Sequence, residues 1–197
     1  LIQKLNIKSL TVGDDFKFGK NQSGDVKDLK NYSSKGFFSL NIENKHCIDN
    51  TRISSTLIRD AITRNNFTLA SKMLGRPYSI SGKIIHGEKR GSKIGFPTAN
   101  IKLKENVLLG GVYAVSTYID GKEYYAVANI GYKPTFDGRK YLFEAHIFNL
   151  TANLYGKRLE FKIVAKIRDT KKFTSIEELK ESINHDINSA KVIFKIK

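Results

Sequence analysis

Residues 113–119 and 123–130 are two strand-like apolar runs joined through Asp120-Gly121. An Asp-Gly pair supplies the backbone conformation that a tight hairpin turn demands, so these runs are expected to fold back as antiparallel neighbours. Three more strand-like runs, 79–85, 141–148 and 158–167, lie within the same stretch. Several short strands at such close spacing predict a small antiparallel β-barrel.

The flanks have a different texture. Leu57, Ile58, Ala61 and Ile62, then Phe67, Leu69, Ala70, Met73 and Leu74, recur at helical spacing up to Gly75, with Pro77 just beyond. That pattern predicts two short helices and a stop, and a domain boundary is placed there, giving 1–74 and 75–197. Upstream, a strand-like run at 5–12, a short helix at 25–32 and a second strand at 36–42 read as α/β. At the other end, Thr174 and Ser175 followed by Glu177 and Glu178 supply a helix cap. Ile176, Leu179, Ile183, Ile187 and Ala190 then form one apolar stripe expected to lie against the barrel.

Bulk properties narrow the classes. A chain of 197 residues with 40% hydrophobic content can build an ordinary core as one large domain or two small ones. No run approaches the roughly 18 apolar residues of a membrane span. Leu1-Ile2-Gln3-Lys4 has neither an initiator Met nor the order of a signal peptide, and is read as an interior cut in a longer protein. The single Cys47 excludes an intramolecular disulfide and a multi-cysteine metal site; it reads as a small core residue and fits a cytoplasmic location. The net charge of +15 suits polyanions, but the lysines are scattered in the manner of a solvated surface.

Four segments could carry chemistry. In His86–Asn100, Gly87, Gly91 and Gly95 recur every four residues among Lys89, Arg90 and Lys93. Such a loop can let backbone amides and cations cradle phosphates, or it can be an ordinary basic surface loop. Thr98 and Asn100 alternate on an extended segment after Pro97, so their side chains share a face. A hydroxyl and an amide carbonyl are hard oxygen donors suited to Mg²⁺, or they simply satisfy turn backbone. Glu144 lies mid-strand among apolar neighbours, a place for a general base or for a solvent-facing residue of an edge strand. Ser54, Ser55 and Thr56 precede a helix with Arg59 in its first turn, an arrangement for anion binding or for plain N-capping.

Together these segments resemble the bacterial bifunctional riboflavin kinase and FAD synthetase (FMN adenylyltransferase) family. The resemblance rests on Val12-Gly13-Asp14-Asp15-Phe16-Lys17-Phe18-Gly19, Ile53-Ser54-Ser55-Thr56-Leu57-Ile58-Arg59, Leu74-Gly75-Arg76-Pro77-Tyr78 and, most specifically, Gly95-Phe96-Pro97-Thr98-Ala99-Asn100. Gly111-Val112-Tyr113, Ala128-Asn129-Ile130-Gly131, the strand around Glu144, Leu154-Tyr155-Gly156-Lys157 and Ile167-Arg168 follow in the family's order.

The resemblance implies an α+β chain. A six-stranded antiparallel split barrel with a C-terminal helix would be preceded by the back part of a Rossmann-like adenylyltransferase domain. It implies that Thr98 and Asn100 hold Mg²⁺ and the ATP phosphates beneath a flap including Gly87, Lys89, Arg90, Gly91, Gly95 and Pro97. Glu144 would take the proton from the ribityl hydroxyl, Arg168 and Phe173 would approach the flavin, and Ser54, Ser55, Thr56 and Arg59 would form an adenylyltransferase nucleotide motif. The partners implied are riboflavin and ATP, with no nucleic acid or membrane, and a monomer or weak oligomer. The family's His-x-Gly-His motif is not found: His46, His86, His146 and His185 stand isolated. FMN formation is therefore expected of this chain, and FAD formation only of a longer parent. Two rivals are a basic barrel that holds single-stranded nucleic acid and a flavin carrier that consumes no ATP.

Overall fold

The computed structural model describes residues 2–49, 51–87, 90–104, 107–135 and 138–196. They fall into two compact units, Leu1–Ser54 and Ser55–Lys197.

In the first unit, strands β1 (Ser9–Gly13) and β2 (Ser39–Glu43) pair in parallel, with Val12 opposite Ile42. Parallel neighbours need a crossover, and helix α1 (Val26–Ser34) lies in that connection. The Asp25 carboxylate caps the helix by accepting from the Lys27 amide at 2.8 Å, and Asp28 accepts from the Asp25 amide at 2.9 Å. The Lys27 amide, together with the Asp28 amide, holds the Asp25 carboxyl below its usual range. Leu29 then packs with Val12 and Phe38 as a small core. The strand expected over 5–12 begins only at Ser9, because Ile2–Leu5 is a helical turn. Cys47 is exposed rather than buried. It sits in a hairpin of two-residue strands, Cys47–Ile48 and Thr51–Arg52, whose polar surroundings offer no core to enter.

The second unit opens with helices α2 (Ser55–Thr63) and α3 (Phe67–Leu74). Strands β3 (Ser79–Lys83), β4 (Ala99–Lys102), β5 (Gly111–Ile119), β6 (Lys122–Thr135), β7 (Gly138–Ile147) and β8 (Arg158–Arg168) follow, and helix α4 (Ile176–Phe194) ends the unit. The strands form one antiparallel sheet in the order β3-β8-β5-β6-β7-β4. Its two edges meet where the Ile85 amide donates to the Asn100 carbonyl at 2.9 Å, so the sheet is a nearly closed barrel. The hairpin turn has Asp120 and Gly121 at φ 50° and 82°, as its sequence requires. Strand β4 is additional to the runs read from alternation; its four residues are too few to show a period. Strand β6 continues past Ile130 because residues 131–135 find partners in 138–142, despite a Gly and a Pro that mask the pattern.

The barrel core is built from inward residues of every strand. Phe143 and Phe161 are fully buried with ring centroids 4.8 Å apart, and Ala126, Ala128 and Ala145 leave them room. Ala61, Ile62, Phe67 and Ala70 of the two helices enter the same cluster. That shared packing puts α2 and α3 with the barrel, so the compact units divide at Ser54/Ser55, upstream of Gly75. Helix α4 starts as its sequence suggests: the Ser175 hydroxyl accepts from the Glu178 amide, and the Glu178 carboxylate accepts from the Thr174 amide and hydroxyl. Ile187 and Ala190 of its apolar stripe pack with Ala114, Val127 and Phe148 as expected, but the stripe's first residue does not. Ile176 is 57% exposed, and the face toward the barrel carries Ser182, Asp186 and Ala190. A buried carboxylate there requires a partner from the barrel.

Candidate active site

Strand β7 alternates strictly. Tyr141, Phe143, Ala145 and Ile147 enter the core, which puts Leu142, Glu144 and His146 on the opposite face. Strand β4 does the same: Ala99 and Ile101 face the core, and Asn100 faces away with Thr98 just before it. The β4–β7 register pairs Glu144 directly with Asn100. Directly opposed Cα atoms lie about 4.5–5.5 Å apart, so these side chains are immediate neighbours on one face.

Asn100 is only 3% exposed despite facing away from the core. Gly87 covers it: a Cβ on Gly87 would come within 2.6 Å of the Asn100 amide nitrogen. That nitrogen donates to the Thr98 carbonyl at 3.1 Å and lies 3.5 Å from the Thr98 hydroxyl. The other half of the amide, Oδ1, is buried with no hydrogen-bond partner among the described residues. A buried acceptor in that state requires an explanation, and a hard cation is one. Among the described residues no three His, Cys, Asp or Glu side chains gather as a metal cluster. The candidate donors are therefore the amide and hydroxyl oxygens of Asn100 and Thr98.

The glycine-rich segment folds over this pair. Arg90–Lys93 makes one helical turn, after which the Phe96 amide returns to the Gly91 carbonyl at 2.8 Å. Gly91 has no room for a side chain, since a Cβ there would meet the Phe96 carbonyl at 2.4 Å. Lys89 lies outside the described residues, as does the side chain of Arg90. Pro97 and Thr98 stand at the rim of a cavity of about 340 Å³ with Ile84, Ala99, Ala145, Ile147 and Leu154 among its walls. Tyr155 also lines it and stacks on His86 with centroids 3.8 Å apart.

Glu144 is ion-paired with Lys133 of β6, and the carboxylate side chain retains 16% exposure. Pattern reading did not single out Lys133, because its ion-pair partner Glu144 lies eleven positions away, on a different strand. His146, two residues along the same face, is within 2.9 Å of the Pro97 carbonyl through Nδ1.

Arg168, expected near the flavin, lies on β8 in the same cross-strand row as Glu144, through Val112 of β5 and Asn129 of β6, and Phe173 lies in the connection between β8 and α4. Two irregularities in the β8–β5 ladder, at Ile163/Ala165 and Lys166/Arg168, re-aim the end of β8. The Arg168 guanidinium donates through Nε and Nη2 to both Asp186 oxygens at 2.8 and 2.7 Å, and through Nη1 to the Asp169 carbonyl. Its carbon lies 5.8 Å from the Phe173 ring centre. Arg168 is thus the partner that the buried Asp186 requires, and it holds Phe173 beside the start of the last connection.

Of the remaining expected residues, Ser55, Thr56 and Arg59 are exposed on the first turns of α2, and Ser54 ends the first unit. No helix of the described residues is long and apolar enough to cross a membrane.

Comparison with known proteins bears on both units. A family model described as riboflavin kinase matches residues 74–194, and one described as FAD synthetase matches residues 1–57. Proteins named bifunctional riboflavin kinase/FMN adenylyltransferase are similar along nearly the whole chain. That of Haemophilus influenzae is 42% identical over 98% of this chain and 64% of its own length. That of Buchnera aphidicola subsp. Schizaphis graminum is 43% identical over 100% and 64%. This chain thus spans 64% of the length of those relatives. A solved structure described as a macrolide-efflux protein from Streptococcus pneumoniae matches with TM-score 0.73 and 35% identity, covering 91% of this chain and 58% of that one.

Proposed function

The chain belongs to the bifunctional riboflavin kinase/FMN adenylyltransferase family, and from that premise we propose that residues 75–197 transfer the terminal phosphate of ATP to the ribityl hydroxyl of riboflavin. The observation that carries this reading is the pairing of Glu144 with Asn100 across the β4–β7 ladder, one a carboxylate and the other a buried, unpartnered carbonyl oxygen.

Phosphoryl transfer passes through a loose transition state and depends on positioning and charge neutralisation. Asn100 and Thr98 are the residues that would hold Mg²⁺, which when bound neutralises phosphate charge. Gly87 and Gly91 bring backbone close to the same place, with no Cβ to exclude the phosphates. The cavity beside Thr98, lined by apolar residues together with Ser92, Thr151 and Asn153, has the size for a nucleobase. Glu144 orients the ribityl hydroxyl and accepts its proton. As that oxygen bonds to the γ-phosphorus, the bond to the bridging oxygen breaks and ADP leaves. General-base help of this kind is worth about 10²- to 10⁴-fold.

The first unit, with Ser54, Ser55, Thr56 and Arg59, is proposed to belong to the adenylyltransferase half that joins FMN to AMP. The proposed setting is the cytoplasm, with small-molecule substrates, no nucleic acid or membrane partner, and a monomer or weak oligomer.

The test is incubation with riboflavin, ATP and MgCl₂, separation of the flavins by chromatography, and EDTA as control. Mg-dependent FMN supports the reading. Riboflavin binding without FMN would replace it with a carrier, and salt-dependent binding to single-stranded nucleic acid without flavin turnover would replace it with a binding module.

A further inference from the structure

We propose that His146 is a positioning residue that sets the Thr98–Asn100 donor segment against Glu144. The inference rests on the kinase reading and extends it to a residue that no motif distinguishes.

His146 Nδ1 lies 2.9 Å from the Pro97 carbonyl. A carbonyl only accepts, so Nδ1 carries the hydrogen, whether the ring is neutral or charged. That carbonyl belongs to the Pro97–Thr98 peptide, so this bond orients the peptide plane from which Thr98 begins. The ring cannot swing freely. Phe96 meets it edge-on at 5.5 Å and 84°, and Phe148, in the turn just past the strand, lies 6.1 Å away. A small cleft beyond His146 is bounded by Phe148, Asn149, Ile187, Lys191 and Ile196.

The consequence follows from strand geometry. Glu144 and His146 are i and i+2 on one strand, so they project from the same face at a fixed separation. One contacts the reacting hydroxyl in the proposed chemistry; the other grips the peptide that begins the metal- and phosphate-binding segment. Strand β7 therefore sets the distance between base and phosphate through two side chains. The bonds that hold such donors are commonly worth 10- to 100-fold in affinity or activity.

The experiment compares wild type, His146→Ala, His146→Asn and His146→Gln in steady-state FMN formation, with thermal melting of each. The expected result is a rise in KM for ATP of about tenfold or more in His146→Ala, with KM for riboflavin little changed. His146→Asn, whose amide nitrogen reproduces the place of Nδ1, should restore much of that loss, and His146→Gln less. The pH profile of His146→Asn should match wild type, because the bond forms in either charge state of the ring. An unchanged KM for ATP in His146→Ala overturns the inference. So does a His146→Asn variant that loses kcat together with one limb of the pH profile, since that result would make His146 a proton-transfer group. A wild type that forms no FMN removes the kinase reading and this inference together, whereas an active wild type leaves the variants to judge the inference alone.

Discussion

Glu144 and Asn100 face each other across the β4–β7 ladder, on the side of the barrel away from its core. Neither is where folding alone would put it. The Asn100 carbonyl oxygen is buried without a partner, and the Glu144 carboxylate is held by Lys133. An unsatisfied buried acceptor costs about 1–3 kcal/mol. Such a cost persists where ligand binding recovers it, and the glycine-rich segment covers Asn100, the strand partner of Glu144.

Glu144→Gln should lower the rate of FMN formation by about 10²- to 10⁴-fold and leave riboflavin affinity nearly unchanged. The ion pair it removes involves a lysine that is 40% exposed, so stability should shift by less than about 1 kcal/mol. Rapid-quench turnover and flavin fluorescence titration check the two halves. Equal turnover in the variant would remove Glu144 from the base role.

Asn100→Ala should separate activity from stability. The substitution removes the orphaned Oδ1 along with the amide that donates to Thr98, so the net cost should be within about 1 kcal/mol. The Mg²⁺ concentration needed for half-maximal FMN formation should meanwhile rise on the order of 10- to 100-fold. A magnesium titration followed by a urea melt measures both. An unchanged magnesium requirement would show that Asn100 does not face the metal.

Asp186→Ala should be the most destabilising single change at the helix–barrel contact. Asp186 is 3% exposed and Arg168 grips both of its oxygens. Removing one partner of a buried pair leaves the other charge unanswered, at a cost of about 3–5 kcal/mol. Arg168→Lys should also destabilise, because an ammonium cannot make the two-pronged contact. Urea midpoints at constant slope read these values, and an Asp186→Ala midpoint equal to wild type would refute the clamp.

Alkaline stability should fall between pH 10 and about 12. Burial pushes the Tyr113 hydroxyl up to about 12, and burial raises Tyr78 and Tyr141 as well. A folded-state pKa above the unfolded value near 10 means the native state holds its protons more tightly. Stability is then fully present below pH 10 and is lost as the pH rises through the folded value. Denaturant melts from pH 8 to 12 should show a plateau and then a decline. In Tyr113→Phe the decline should be shallower, although the hydrogen bond to the Gly110 carbonyl is gone too. A wild-type curve that stays flat to pH 12 contradicts the assignment.

Much of the site's local geometry was legible because it lies within single elements. The alternation of Tyr141, Phe143, Ala145 and Ile147 assigns Glu144 to the opposite face without reference to the rest of the chain. The spacing of Thr98 and Asn100 does the same for the donor pair. The Asp120-Gly121 turn and the Ser175–Glu178 cap are likewise contacts between near neighbours. His146 was passed over for the opposite reason: its partner, Pro97, is 49 positions away, and an isolated histidine carries no periodic signal.

The sequence by itself determined most of the elements, the faces of the β7 residues and the tight turns, because periodicity and turn chemistry act over a few residues. Only the tertiary structure decided which non-adjacent strands meet. Pairing β8 with both β3 and β5 brings the start and end of the barrel together, and bulges in β8 turn Arg168 toward an acid eighteen residues later. It likewise decided that α2 and α3 share the barrel's core, that Lys133 answers Glu144, and that Gly87 closes over Asn100. Those contacts depend on chain closure and on the volume left between packed elements, and neither quantity is written in any short window of sequence.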